Sequence, residues 1–138
     1  MNITVISVGK IKEKYFTAAI DEYSKRLSRF AKLNIIEVAD EKIPDNASEK
    51  EMEQIKEKEG NKILAKLPQN SFVVTLCIEG KEHSSEELAK KIADISMTSS
   101  HITFIIGGSL GLSDTVKSKS ALRLSFGKMT LPHQLMRV

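Results

Sequence analysis

The chain has 138 residues with 21 Lys and Arg against 18 Asp and Glu, and 41% of it is hydrophobic, enough for one compact domain to bury its own core and too apolar for a disordered tail. No apolar run approaches the roughly 20 residues that span a bilayer, and the N-terminus MNITVISVGKIKEKY lacks the basic start and small-residue cleavage site of a secretory signal. The single cysteine, Cys77, can form neither an internal disulfide nor a Cys-based zinc site, so disulfide scaffolds and zinc fingers are excluded and the protein reads as cytoplasmic.

From Asn2 to Val8 the run is β-branched and apolar and stops at Gly9, which predicts a strand buried on both faces. Phe16, Ile20, Tyr23, Leu27 and Phe30 then recur at steps of four and three, predicting an amphipathic helix over 12–31 whose stripe packs on the sheet. A second strand follows at 33–39, and Pro44, Asp45 and Asn46 mark 40–47 as a loop. Ser48 caps a helix over 48–66, with Glu49, Glu51 and Glu53 at its positive end. Only Met52, Ile55, Ile63 and Leu64 give that helix an apolar face, so it should be the more exposed one.

Pro68 to Asn70 turn the chain into a central strand at 71–78, and Ser84 with Glu87 forms a capping box for a helix that buries Leu88, Ile92 and Ile95. A strand at 101–106 runs into GGSLGLS at 107–113. Residues 113–119 suit a short helix and 121–127 a short strand. KMTLPHQLMRV begins a last helix with Pro132 near its first turn, and the chain stops there. Nothing resembling a linker, repeat or low-complexity tract divides 1–138. The alternation predicts an α/β fold, a mostly parallel sheet with helices on both faces, whose ligand sites lie beyond the carboxyl ends of the strands.

Three loops reach that edge: 76–80 (LCIEG), 107–113 and 126–132. The glycines of 107–111 let the backbone approach a ligand, or simply make a tight strand-to-helix turn. They fit neither GxGxxG nor GxxxxGK[ST], so dinucleotide and P-loop readings fail. The seven aromatics, Phe126 among them, are expected in the core, which leaves no stacking platform for bases. His83, His101 and His133 have no metal-binding spacing. His133 with Arg137 one turn later is the only pair that looks like a site, although capping or packing would explain it too. Residues 115–138 carry Lys117, Lys119, Arg123, Lys128 and Arg137 and no acid, a surface suited to a polyanion such as RNA or merely to solubility.

Taken in order, VISVGKIKEKYFTAAIDEYSKRLSRF, LCIEG, SSEELA, FIIGGSLGLS and LSFGKMTLPHQLMR resemble the RlmH family of SPOUT-superfamily methyltransferases, which modify pseudouridine in large-subunit ribosomal RNA, and the likeness covers residues 1–138. The resemblance implies a SPOUT-type α/β fold with a C-terminal trefoil knot, S-adenosyl-L-methionine as methyl donor, a homodimer, and large-subunit rRNA in the assembled ribosome as substrate, without metal or membrane. Carried over by position, the cofactor contacts are Leu76, Gly107, Gly108, Gly127, Lys128, Met129, Thr130, Leu131 and Pro132. Methyl transfer to N3 of pseudouridine needs alignment and loss of the imide proton. His133 and Arg137 are the candidates, as base and RNA anchor respectively. Family members normally continue into a tail that carries histidine and tyrosine, which this sequence does not contain. The alternatives are a methyltransferase for another RNA site, in tRNA or rRNA, and a non-catalytic ribosome-associated RNA-binding protein.

Overall fold

The computed structural model describes residues 1–138. Five strands alternate with four helices: β1 (Asn2–Val8), α1 (Lys14–Leu27), β2 (Lys32–Val38), α2 (Glu49–Lys66), β3 (Phe72–Glu82), α3 (Ser85–Ser96), β4 (His101–Ile106), α4 (Asp114–Ser118) and β5 (Leu122–Ser125). The strands form one sheet in the order β2-β1-β4-β3-β5, and every pair is parallel. Parallel neighbours need a crossover connection, and the helices between the strands supply it.

The sheet separates two cores. Ile6, Val8, Val73 and Ile105 point to one face with Ile63 of α2 and Val116 of α4. Val74, Ile102 and Leu124 point to the other, with Ile95 of α3 and the half-buried Leu88 and Ile92. Val73 and Val74 fall in different cores because successive strand residues face opposite ways. At roughly 1.5–3 kcal/mol for each fully buried aliphatic side chain, these two layers are the main stabilising term. The expected caps are present: Ser48 and Ser84 each accept the N3 amide of their helix, and Glu51 and Glu87 reciprocate.

Four expectations need correction. Helix α1 is shorter than 12–31, and none of its residues is buried. Its stripe is only partly covered: α1 touches the edge strand β2 and Phe16 and Ile20 are half-buried, but Tyr23, Leu27 and Phe30 remain 48%, 43% and 81% exposed. Aromatics are therefore not all core: Phe72 and Phe104 pack against the α3 side, but Tyr15 and Phe126 are exposed. Helix α2 is more deeply seated than its sparse apolar face suggests, with Glu59 and Gly60 both buried. A Cβ on Gly60 would lie 2.6 Å from Ser113 Oγ, so glycine is what lets α2 close on the turn that leads into α4. Finally, the segment after Pro132 makes a single 3-10 turn, Leu135–Arg137, in place of the expected helix start.

Candidate active site

At the carboxyl ends of β3, β4 and β5 lies a cleft of about 680 Å³, where the three loops singled out in the sequence, 76–80, 107–113 and 126–132, come together: its walls are residues 76–79, 106–112, 126–127 and 129–133, with Met136, Lys56, Lys117 and Leu124. Each wall has a local cause. Strand β3 pairs with β5 at Leu76–Leu124 and again at Lys81–Leu124, so residues 77–80 bulge outward between those pairs. Gly80 makes the bulge feasible: a Cβ there would sit 2.8 Å from the backbone carbonyl of Arg123. The glycine loop folds on itself, with Gly111 N–H donating to Gly108 C=O at 3.0 Å. A Cβ on Gly107 would meet Gly111 backbone at 2.8 Å, so the turn requires glycine there whatever the loop binds. Gly127, at φ +138°, reverses the chain after β5 in a conformation that L side chains rarely adopt.

Leu76, Gly107, Gly108, Gly127, Met129, Thr130, Leu131, Pro132 and His133 therefore meet around one cavity. Lys128 lies beside it, exposed and not part of the lining. Sequence reasoning named the loops that hold Cys77 to Glu79, Leu112 and Phe126 without assigning those side chains to a site, placed Lys117 on a surface for RNA, and passed over Lys56 and Met136. Of these, Phe126 could have been suspected from its place beside Gly127, whereas Lys56 and Lys117 reach the cleft only through the packing of α2 and α4.

The lining is mainly apolar side chain and backbone, with few free charges. Lys117 is bound to Glu79 at 2.5 Å, which holds that carboxyl below its usual range, and Lys56 is bound to Glu53 at 2.7 Å. His133 sits half-buried in the wall, and its Nδ1 is buried without a partner. Burial, helped by the Arg137 charge and opposed by Asp40, lowers its pKa below the ordinary value, so the ring is neutral at pH 7 and can accept a proton. Arg137 itself does not face the cleft. Its side chain is only 4% exposed and bonds to Glu37, Gly9 and Val8, a geometry that leaves its guanidinium turned away from any RNA on the surface.

Beside the cleft the structure has no group of three or more His, Cys, Asp or Glu placed to hold a metal, and no helix long and apolar enough to cross a membrane. A cavity of this size with apolar walls and glycine-exposed backbone suits a nucleoside-sized ligand. Residues 1–138 match the family described as predicted SPOUT methyltransferase. The ribosomal RNA large subunit methyltransferase H of Clostridium botulinum (strain Kyoto) is 63% identical over 139 residues, covering 100% of this chain and 87% of that protein. The proteins of the same name from Clostridium novyi and Clostridioides difficile are 60% and 58% identical over the same shares.

Proposed function

This chain belongs to the SPOUT methyltransferase family, in the branch of ribosomal RNA large subunit methyltransferase H, and from that premise we propose that the cleft holds S-adenosylmethionine and delivers its methyl group to N3 of a pseudouridine in large-subunit rRNA. SPOUT methyltransferases use S-adenosylmethionine, and the chain is an rRNA methyltransferase of that class. The observation that carries the site assignment is the convergence of 76–79, 106–112 and 126–133 on one cavity.

The residues present fit the cofactor. Leu76, Gly107, Gly108 and the stretch Gly127 to Pro132 would hold it, with Met129 and Leu131 as apolar walls and the exposed backbone around Gly127 reading the adenine edge. Because Lys56 and Lys117 are already paired with acids, neither sets a free positive charge against a sulfonium. When bound, the cofactor supplies an electrophilic methyl group. The chain's own work is alignment and proton handling. His133, neutral and set in the wall, takes the imide proton as N3 becomes nucleophilic. Lys119, Arg123 and Lys128 are exposed and free of ion pairs, which leaves their charges available to the phosphates of the substrate.

Two further features of the reading have structural support. Residues 126–138 leave the edge strand β5 and return across the strand ends as far as Val8 and Glu37, a path consistent with a knotted C-terminus. The uncovered part of the α1 stripe offers a second copy of this chain an apolar surface, which supports a homodimer. One sheet with its two cores supports reading 1–138 as a single domain.

Calorimetric titration with S-adenosylmethionine tests the site. Saturable binding is expected in the unmodified chain and is lost in Gly108→Trp while the circular dichroism spectrum stays the same. Equal affinity in a folded Gly108→Trp overturns the placement of the cofactor.

A further inference from the structure

Residues 129–133 and Met136 form one wall of the cleft, and every hydrogen bond from the stretch 128–138 to another part of the molecule is made by one side chain. The backbone bonds of the stretch are local: Met136 N–H to Pro132, Arg137 N–H to Gln134 and Val138 N–H to Leu135. Apolar packing adds less, since Met129 is 80% exposed, Leu131 and Leu135 are each 41% exposed, and only Met136 among the apolar side chains of the segment is half-buried. Arg137 alone reaches across. Its Nη1 donates to the Gly9 carbonyl and to the Glu37 carboxylate, both at 2.9 Å, and its Nη2 donates to the Val8 carbonyl.

These acceptors stand at the carboxyl ends of β1 and β2, beyond β4 from the bulge that makes the opposite wall. Glu37 also accepts the Ile11 amide at 3.3 Å, so the turn after β1, the end of β2 and the C-terminal segment share one carboxylate. We propose that Arg137 is a positioning residue: it latches the 128–138 wall across the strand ends, and the cleft has its cofactor-binding shape only while that latch is closed. The latch rests on the cofactor reading given above. A guanidinium suits the task because its planar fork reaches two carbonyls and a carboxylate at once, whereas the ammonium of lysine is a compact point charge. His133 lies one turn earlier on the same segment, so the latch also decides where the imidazole sits.

The test is titration of S-adenosylmethionine into the unmodified chain, Arg137→Ala, Arg137→Lys and Glu37→Gln, with circular dichroism as the fold control and an NMR pH titration of His133. Losing the charge-assisted bonds is expected to weaken binding about tenfold or more in Arg137→Ala. Arg137→Lys should recover part of that loss. Glu37→Gln, which leaves both carbonyl acceptors in place, should fall between. The His133 midpoint should rise in Arg137→Ala, because the ring loses a neighbouring positive charge and part of its burial, a change that a merely structural arginine remote from the cleft would not cause. Affinities in Arg137→Ala and Glu37→Gln within about twofold of the unmodified chain overturn the latch. Should Arg137→Ala fail to fold, Glu37→Gln decides by the same criterion. Absence of binding by the unmodified chain overturns the cofactor reading, a different result.

Discussion

Lys117 Nζ donates to the carboxylate of Glu79 at 2.5 Å, which ties α4 to the bulge after Leu76 at the rim of the cleft. The same bond removes one of the five cations that make residues 115–138 basic, and the pairing of Arg137 with Glu37 removes a second. The unpaired charge left in this stretch is that of Lys119, Arg123 and Lys128.

Substituting any one of those three by Ala is expected to weaken binding to all RNA sequences alike and to reduce the slope of log affinity against log salt by about 0.7–0.9, the value for one phosphate contact. Lys117→Ala should change the slope far less. Fluorescence anisotropy with a large-subunit rRNA fragment at several salt concentrations checks this, and a normal slope in all three variants places the RNA elsewhere.

Gly80→Val should break the bulge, since the new Cβ meets the Arg123 and Leu124 backbone at 2.8–2.9 Å. Overpacking of this kind costs about 1–3 kcal/mol, readable as a lower urea midpoint. S-adenosylmethionine affinity should fall with it, because residues 76–79 line the cleft. Unchanged affinity would mean that the bulge is not part of the site.

Stability should fall as the pH drops below about 6.5, where the unfolded chain protonates His133 and the folded chain, with that pKa lowered chiefly by burial, resists. The contribution is fully present above the ordinary histidine pKa. Thermal unfolding of His133→Gln between pH 7 and pH 5 should show a shallower decline than the unmodified chain. Parallel declines would show that the ring is open to water.

Glu59 has the opposite sign. Burial raises its pKa, with Asp40 and Glu41 adding to the rise while the Glu41 N–H bond and Lys62 oppose it. Its contribution to stability is present below the ordinary carboxyl pKa and is lost as the pH rises through the raised value. Glu59→Gln keeps an acceptor for the Glu41 amide and drops the buried charge, so its unfolding midpoint should exceed that of the unmodified chain at pH 7 and converge with it near pH 4. A lower midpoint at pH 7 would show that the charge is needed.

On the proposed homodimer, light scattering of the unmodified chain should give twice the mass of one chain, and Tyr23→Asp combined with Phe30→Asp should give a monomer without lowering the helical signal, since neither residue is buried within one chain. A dimer that survives both changes uses another face.

Periodicity and end signals made most of the fold legible in the sequence. The β-branched runs at Asn2–Val8 and His101–Ile106, the cap at Ser48, the capping box at Ser84, and the glycines after β4 are local signals, and the structure keeps each of them. The cleft walls at Leu76, Gly107, Gly108 and Gly127 to Pro132 were readable because short motifs in LCIEG, GGSLG and FGKMTLP mark them. Phe126 was misread as core: alternation places it in a strand, but Gly127 turns the chain away and leaves it 63% exposed.

By itself, the sequence determined most of the strands and helices, their alternation into a parallel sheet and the family, because these depend on residues a few positions apart. Tertiary structure decided what Arg137, Lys117, Glu59 and α1 do. Arg137 meets Val8 across 129 positions and Lys117 meets Glu79 across 38. Whether a charged group is free, paired or buried follows from such distant partners, and whether an apolar stripe is covered follows from the order of strands in the sheet, which no local pattern encodes.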